Sequence, residues 1–140
     1  MSSLQDERGY NQGFALTRVQ LLRMERRADR IVREMDLSKA GKVLEIGCGT
    51  GELAEFLVNK TGFQVVGIDL SRSFIADCKR KYKNQNLKFI CLDFNDFNKV
   101  RAVLKNKKFD YIVGNGILHH LAPDINATLK GIKSLLAPRG

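Results

Sequence analysis

Three carboxylates in this sequence are placed where they could bind a polar ligand. Glu45 lies inside a short apolar run, and Asp69 and Asp93 directly follow two later runs. A carboxylate at the end of a strand can accept hydrogen bonds from ligand hydroxyl and amine groups. The spacing therefore predicts a ligand site at one edge of a sheet, and the elements around it must bring the three acids together.

A glycine-rich turn separates the first acid from the other two. Gly47, Gly49 and Gly51 follow the apolar residues of the first run, and apolar residues then recur at helical spacing through Lys60. This order predicts a strand, a tight loop and a helix, which is half of a nucleotide-binding βαβ unit. Glycine permits backbone torsions that other residues avoid and leaves a surface that a ligand can approach closely. The helix N-terminus offers free N–H groups to an anionic end of that ligand.

The pattern resembles motif I of the class I S-adenosylmethionine (SAM)-dependent methyltransferases. The spacing is Gly-x-Gly-x-Gly, because Glu52 stands where the dinucleotide fingerprint has its third glycine, and an acid lies two places before the first glycine. Later stretches resemble that family's second, third and fourth strands and the turn before its fifth strand, in the family's order: 65–71, 89–94, 109–121 and 135–140. The resemblance covers about residues 40–140.

The alternation of strands and helices predicts an α/β fold. We expect a Rossmann-like parallel sheet with right-handed crossovers and helices on both faces. The resemblance implies strand order 3-2-1-4, with the ligand at the carboxyl ends of the strands, beside strand 1. Because the family's sheet continues further, we expect the sequence to stop before the fifth strand. Strand four would then be an exposed edge through which the chain self-associates.

The domain organisation predicted from the sequence is an N-terminal arm, 1–16, followed by an incomplete SAM-binding domain, 17–140. Relatives of this kind often fold an N-terminal aromatic segment over the cofactor, so Tyr10 and Phe14 could belong to a lid. An irregular terminus with one aromatic anchored on the core is the favoured alternative.

An amphipathic helix is predicted from Thr17 to Met35, packing on the sheet through a stripe of Leu21, Met24, Ala28, Ile31 and Met35. Its arginine density is compatible with a membrane-surface or RNA-contacting helix. Acidic residues interleave with the arginines, however, and would supply intrahelical ion pairs: Glu25, Asp29 and Glu34. We therefore favour a solvated face.

The resemblance implies roles for four residues on the adenosine side. Asp69 would accept hydrogen bonds from both ribose hydroxyls, and Leu70 would offer an apolar face to the adenine ring. Asp93 would accept from the exocyclic amine, and the Phe94 backbone N–H would donate to the ring. For Asp69 the alternative is a helix-capping or loop role, and for Asp93 the alternative is capping of the following helix.

The methionine end of the ligand is assigned in the same way. In the family, the position of Glu45 helps to hold the methionine ammonium, although a basic partner from the N-terminal helix would also explain a buried acid. Gly114 and Asn115 would border the transferable methyl group. The complete set of residues expected to bind SAM is Glu45, Gly47, Cys48, Gly49, Gly51, Asp69, Leu70, Asp93, Phe94 and Asn115.

Methyl transfer from a sulfonium is an in-line displacement, so the protein contributes mainly proximity, alignment and exclusion of water. No catalytic nucleophile or metal is expected. His119 or His120 could act as a base, but a structural role is favoured. The stretch 114–117 departs from the Asn/Asp-Pro-Pro-aromatic pattern of the family's amide and adenine-amine methylases. Exocyclic amine methylation of DNA or of glutamine is therefore disfavoured.

The composition limits the partners, cellular setting and functions that are compatible with the sequence. The 24 Lys and Arg residues exceed the 15 Asp and Glu residues by 9, which permits an anionic partner without requiring one. No signal peptide or membrane span is evident, and three cysteines without a Cys-x-x-Cys pair indicate a reducing, cytoplasmic setting. We expect a small-molecule acceptor rather than nucleic acid. The alternatives are a nicotinamide dinucleotide-binding module and a non-catalytic partner protein with the same fold.

Overall fold

A computed structural model describes residues 16–117, 120–121 and 124–138. The described residues form one sheet of four parallel strands in the order β3-β2-β1-β4. The strands are β1 (Lys42–Ile46), β2 (Gln64–Asp69), β3 (Leu87–Cys91) and β4 (Tyr111–Gly114). The predicted α/β fold and strand order are confirmed. The predicted arm, including Tyr10 and Phe14, lies outside the described residues apart from residue 16.

Five described helices cover both faces of the sheet: α1 (Arg18–Arg33), α2 (Glu52–Thr61), α3 (Arg72–Lys81), α4 (Phe97–Val103) and α5 (Ile125–Leu135). The first three share one hydrophobic core and the last two share the other. Side-chain caps fix most of the helix starts, because a hydroxyl or carboxylate oxygen accepts a free backbone N–H. The capping residues are Thr17, Ser71, Asp96 and Asp124.

Strand β1 is the centre of the fold because it is buried on both faces. Val43 belongs to the core under α1–α3, whereas its neighbour Leu44 belongs to the core under α4 and α5, and neither side chain is accessible. Successive strand residues point to opposite faces, so a continuous apolar run is what a doubly covered parallel strand requires.

Several large apolar residues on the helices are exposed. The apolar spacing in the sequence predicts a helix from about residue 96 to residue 105 with Val100, Val103 and Leu104 facing inward, but α4 ends at Val103, because Lys105 and Asn106 adopt positive φ angles of 51° and 54°. The core contacts of this helix are made by the buried Val100 and Leu104 and by the partly buried Phe97. The exposed residues include Leu21 in α1, Val103 in α4, and Ile125 and Leu129 in α5.

Helix α1 lies against α2, and its acidic residues face that helix instead of pairing along α1. Lys60 of α2 forms ion pairs with Asp29 at 2.7 Å and with Glu25 at 3.7 Å. Hydrogen bonding to Asp29 raises the pKa of Lys60. The expected intrahelical pairs with the α1 arginines are therefore wrong for these two acids, because a cation on the neighbouring helix holds both.

Strand β4 pairs with β1 on one side. Beside its start, the Phe109 backbone N–H donates to the Leu135 carbonyl at 2.9 Å, and Ala137 N–H donates to the Phe109 carbonyl at 2.7 Å. Self-association through the β4 edge stays a prediction. No helix among the described residues has both the length and the apolar character that crossing a bilayer requires.

Because α5 packs on α4, we expect a glycine-to-alanine substitution in α5 to destabilise the protein, although this substitution usually stabilises a helix. Replacing glycine by alanine inside a helix normally gains about 1 kcal/mol. A Cβ on Gly131, however, would lie 2.7 Å from the Phe97 ring, which is itself held edge-on against Phe94. We expect Gly131→Ala to lower the free energy of unfolding by about 1 kcal/mol.

Urea denaturation followed by circular dichroism measures this change. Lys130→Ala is the control, because the adjacent residue is helical and exposed. That variant should stay within about 0.5 kcal/mol of the parent. An increase in stability for Gly131→Ala would show that Phe97 can move aside.

Candidate functional site

The glycine loop lies over the carboxyl end of β2. The backbone N–H groups of Gly47 and Cys48 both donate to the carbonyl of Ile68, at 2.8 and 3.0 Å. Gly51 then caps the N-terminus of α2 with a left-handed backbone, φ 85°. The loop is thus tied to the strand that carries the second predicted acid.

Asp69 connects the loop to α3. Its Oδ2 accepts a hydrogen bond from the Gly49 backbone N–H at 2.8 Å, and its Oδ1 accepts one from Ser71 N–H at 2.9 Å. Ser71 rather than Asp69 caps α3, so the helix-capping alternative is wrong, whereas the two contacts of Asp69 with backbone N–H groups fit the loop alternative. A carboxylate oxygen can accept more than one hydrogen bond.

The three loop glycines have different surroundings. A Cβ on Gly49 would meet no atom within 4 Å, so this residue presents an open surface. A Cβ on Gly51 would lie 2.7 Å from the Tyr82 ring, and one on Gly47 would lie 2.6 Å from Ile117 Cδ1. The expectation that all three open the surface to a ligand therefore applies in this structure only to Gly49.

The C-terminal end of α3 holds the loop from behind. Cys78 Sγ donates to the carbonyl of Gly49 at 3.4 Å, and the Tyr82 hydroxyl donates to the carbonyl of Thr50 at 3.1 Å. Burial is the main cause that raises the pKa of Tyr82 to about 12, so this hydroxyl stays a donor at neutral pH. These contacts turn two loop carbonyls away from the ligand side.

Glu52 completes this support. Its carboxylate is buried, accepts the Thr50 hydroxyl and pairs with Lys81 Nζ at 3.2 Å. Partial burial lowers the pKa of Lys81, but hydrogen bonds to Tyr82 and Glu52 outweigh it and raise the pKa to about 12. The sequence marked Glu52 only as a departure from the dinucleotide fingerprint and gave no signal for its partner on α3.

Glu45 is the most unusual group at the site. The residue is 2% exposed, and its Oε2 atom has no hydrogen-bond partner among the described residues. Burial raises the pKa of Glu45 well above its usual range, and nearby Cys78 and Asp69 add to the effect. The alternative of a basic partner from α1 is wrong, because no ion pair of Glu45 occurs in the part of the chain described here.

Cys48 contributes a neutral, compact side chain to the loop. A hydrogen bond with Cys78 and burial raise the pKa of its thiol, so it does not act as a thiolate at neutral pH. The described cysteines are free thiols; Cys48 and Cys78 are buried and Cys91 is exposed. The apolar run 89–92 predicts a buried strand position for Cys91, and this prediction is wrong.

The remaining predicted residues follow β2, β3 and β4. Leu70 is 39% exposed directly beyond Asp69. Asp93 Oδ1 accepts from the Asn95 backbone N–H at 2.9 Å, whereas Asp96 caps α4, so the alternative of Asp93 as the helix cap is wrong. The side chain of Phe94 is buried in the core of α4 and α5, and Asn115 is half-buried after β4.

The loop after β4 also reaches the site, through a residue that sequence reasoning did not select. Ile117 lies over both Gly47 and Gly114, since a Cβ on Gly114 would be 2.8 Å from its Cγ2. The His120 carbonyl accepts from Asn95 Nδ2 at 3.3 Å, which joins this loop to the one after β3. His119 lies outside the described residues.

A glycine turn between a central parallel strand and its helix, with an acid at the tip of the next strand, defines a nucleotide-binding Rossmann-like domain. Residues 43–140 match the model of a family described as "Methyltransferase domain". The chain belongs to this family, within the class I SAM-dependent methyltransferases. This match favours the methyltransferase reading over the nicotinamide dinucleotide alternative.

Individual relatives differ in the reactions that their names describe. The chain is 39% identical over 88 residues to a ribosomal RNA small subunit methyltransferase A of Mesomycoplasma hyopneumoniae, covering 63% of this chain and 31% of that protein. It is 31% identical over 115 residues to a ubiquinone biosynthesis O-methyltransferase of Bradyrhizobium diazoefficiens, covering 82% and 43%. The chain thus spans about a third to under a half of these curated relatives.

The fold is also that of solved structures. The PH0226 protein from Pyrococcus horikoshii OT3 superposes with a TM-score of 0.69 at 29% identity. The superposition covers 89% of this chain and 56% of that one. The Rossmann-like methyltransferase fold is therefore established for most of the described residues.

The contact between Gly51 and α3 predicts a large loss of stability on adding one methyl group. A left-handed backbone costs a non-glycine residue about 1–2 kcal/mol, and overpacking adds about 1–3 kcal/mol. Gly62 also has positive φ, 69°, but its Cβ would meet no atom within 4 Å. Urea denaturation should therefore show a loss about 1–3 kcal/mol larger for Gly51→Ala than for Gly62→Ala. Equal losses would mean that α3 does not hold the loop.

The buried carboxyl of Glu45 predicts a pH dependence of stability. Because its pKa is raised in the folded chain, the folded state keeps a proton that the unfolded state has lost. Stability then falls as pH rises above the unfolded value, with a limiting slope of about 1.4 kcal/mol per pH unit, until the folded pKa is reached.

Glu45→Gln removes this titration and keeps the shape of the side chain. We expect unfolding free energies measured from pH 5 to pH 8 to fall less steeply in the variant, which should be the more stable protein at pH 8. Parallel pH profiles for the two proteins would contradict a protonated Glu45.

Proposed function

We propose that this chain binds SAM and forms the cofactor half of an enzyme that transfers its methyl group to an acceptor. The observation that carries the proposal is Glu45, whose carboxyl Oε2 is buried without a hydrogen-bond partner in the described residues. A buried, unpaired acid is costly unless a ligand satisfies it. SAM carries both an ammonium and a sulfonium, so its binding would satisfy this acid in the ionised form.

The adenosine half of the ligand would lie along the loop and the strand tips. Asp69, which is oriented by the Gly49 and Ser71 N–H groups, is the proposed acceptor for the ribose hydroxyls. The open surface at Gly49 allows close approach of the ligand. Leu70, Asp93 and the backbone of Phe94 are the proposed adenine contacts. Asn115 is proposed to border the methionine end.

The bound cofactor would supply an activated methyl group, and the residues described here would hold it. An acid that is neutral when the site is empty must lose its proton when a cation binds beside it. SAM binding is therefore expected to release a proton, and its affinity is expected to increase with pH towards the folded pKa of Glu45.

A small-molecule acceptor is the first candidate, because residues 114–117 lack the pattern of amide and adenine-amine methylases. RNA is the second candidate, because helix α1 carries exposed arginines that have no ion-pair partner in the described residues. A non-catalytic partner protein would bind SAM and transfer no methyl group. An assay of radiolabelled methyl transfer to small molecules and to RNA, made with this chain and with an extended chain, separates these three outcomes.

The proposed role of Asp69 predicts a specific loss of ligand affinity. Titration calorimetry with S-adenosylhomocysteine should show binding that is weaker by about 10²- to 10⁴-fold in Asp69→Ala, since two charge-assisted hydrogen bonds are lost. NAD should give no heat with either protein.

Asp110→Ala is the matched control. Asp110 also accepts a backbone N–H, that of Lys42 at 2.8 Å, but at the opposite end of β1. It should lose stability without losing affinity. Unchanged binding in Asp69→Ala would overturn the site assignment.

A further inference from the structure

One face of helix α1 carries arginines that have no ion-pair partner in the described residues. Five of them fall within an arc of about 120° when 3.6 residues make one turn: Arg23, Arg26, Arg27, Arg30 and Arg33. All five are exposed, and none takes part in an ion pair within the part of the chain that the structure describes.

Two of the three acids that the sequence suggested as partners for these arginines are engaged elsewhere, and the third, Glu34, forms no ion pair in the described residues. Lys60 of α2 holds both Glu25 and Asp29, which lie beside the packed face of α1. The arginine face is the opposite one, because Ala28 and Met35 are buried against the core. Arg30 and Arg33 also suit the negative end of the helix dipole, but that explanation does not extend to Arg23, Arg26 and Arg27.

Arginine on a rigid helix is suited to phosphate groups. Its planar guanidinium donates two parallel hydrogen bonds to one phosphate, whereas lysine acts as a point charge. Residues 23–33 extend over about 15 Å of helix axis, enough to follow several phosphates of one strand. Gln20 is engaged in the capping box with Thr17, so that amide is not free to read a base edge.

The way in which α1 packs favours an A-form RNA duplex over B-form DNA or a membrane as the partner of its arginine face. A helix that reads B-form DNA enters a major groove about 8.5 Å deep, but α1 is packed along α2 and presents only its outer half. The minor groove of A-form RNA is wide and shallow and is contacted through phosphates and 2′-hydroxyls. A membrane would need a continuous free apolar face. Val19, Leu21 and Leu22 are exposed near the start of α1, but the rest of the apolar stripe, from Met24 to Met35, packs on the core.

We infer that the arginine face of α1 is a docking surface for the sugar-phosphate backbone of double-helical RNA. This surface lies outside the proposed SAM site, and its occupation does not depend on the cofactor. The inference goes beyond the proposed methyl transfer, because it assigns a macromolecular partner. The surface would bind this partner through its backbone and would not recognise the base sequence.

Fluorescence anisotropy with a labelled 20-base-pair RNA duplex tests the inference. The complete chain should bind the duplex with a steep salt dependence, since each phosphate contact contributes a slope of about −0.9 in log K against log salt. Replacing Arg23, Arg26 and Arg27 by Gln should reduce the slope by about 3 and weaken binding by roughly 10- to 500-fold at 0.1 M salt.

Two control variants separate a specific surface from general charge. Lys99, Lys107 and Lys130 are exposed residues beside or on the helices of the other sheet face, and replacing these three by Gln makes the same change in net charge. That triple variant should change the slope by less than about 1. Replacing the three arginines by Lys should restore most of the salt slope, because the charge is kept.

Every outcome decides for or against the inference. Equal losses in the arginine and lysine variants would show general electrostatic attraction, and equal affinity for a DNA duplex of the same sequence would remove the assignment to RNA. Binding of α1 to phosphatidylserine vesicles in preference to RNA would make it a membrane surface. Circular dichroism and urea midpoints establish that each variant is folded, so the result stands whether or not the chain binds SAM.

Discussion

The hydrogen bond from the Gly49 backbone N–H to the Asp69 carboxylate is the contact on which the rest of the site depends. It joins the loop after β1 to the tip of β2, and the other oxygen of the same carboxylate continues the link to Ser71 at the start of α3. The loop after β1, which is distant in sequence, and the adjacent start of α3 thereby take fixed positions around one charged group. Because charge-assisted hydrogen bonds are stronger than neutral ones, a single side chain is sufficient for this role.

Contacts from α3 hold the glycine loop in the position in which Gly49 reaches Asp69. The carbonyls of Gly49 and Thr50 are engaged by Cys78 and Tyr82, so the loop cannot rotate its peptide groups without losing bonds on the α3 side. Gly51 has to be glycine for a packing reason as well as a torsional one, because the Tyr82 ring occupies the space of a Cβ. The loop is therefore held between α3 and the open ligand side, as a preorganised site requires.

The fold could be predicted almost completely from sequence, because periodicity and strand-loop-helix order are local signals. The strand, tight loop and helix expected around the glycine-rich turn are β1, the loop 47–51 and α2. What could not be predicted is the choice of partner over long sequence separations. Lys60 binds the acids of α1 and Lys81 binds Glu52, and no short-range pattern distinguishes these pairings from the intrahelical ones.

The same limit applies within the site. The glycines were found by spacing, but spacing does not say which way an absent side chain would have pointed, and only Gly49 has open space there. Ile117 was missed because an isoleucine after a strand has no chemical signature, although it covers both Gly47 and Gly114. Packing complementarity is a property of the assembled structure, so it becomes visible only when the loops after β1 and β4 are placed together.

Negative and positive side chains occupy different parts of this molecule, the acids beneath the glycine loop and the arginines on the outer face of α1. The chain has a formal net charge of +9, yet Glu45, Glu52 and Asp69 act on one another beneath the glycine loop, where burial strengthens their repulsion. Lys81 neutralises Glu52, and the two backbone N–H groups stabilise Asp69. Glu45 has no ion-pair partner in the described residues, and its one backbone hydrogen bond, from Ala54, does not outweigh the effect of burial, so it must either hold a proton or receive a cation. The arginines that could have supplied that cation lie on the outer face of α1, where the packing of Ala28 and Met35 directs them away from the core. The interior is therefore arranged to favour a positively charged ligand, while the outer face of α1 is arranged to favour a negatively charged one.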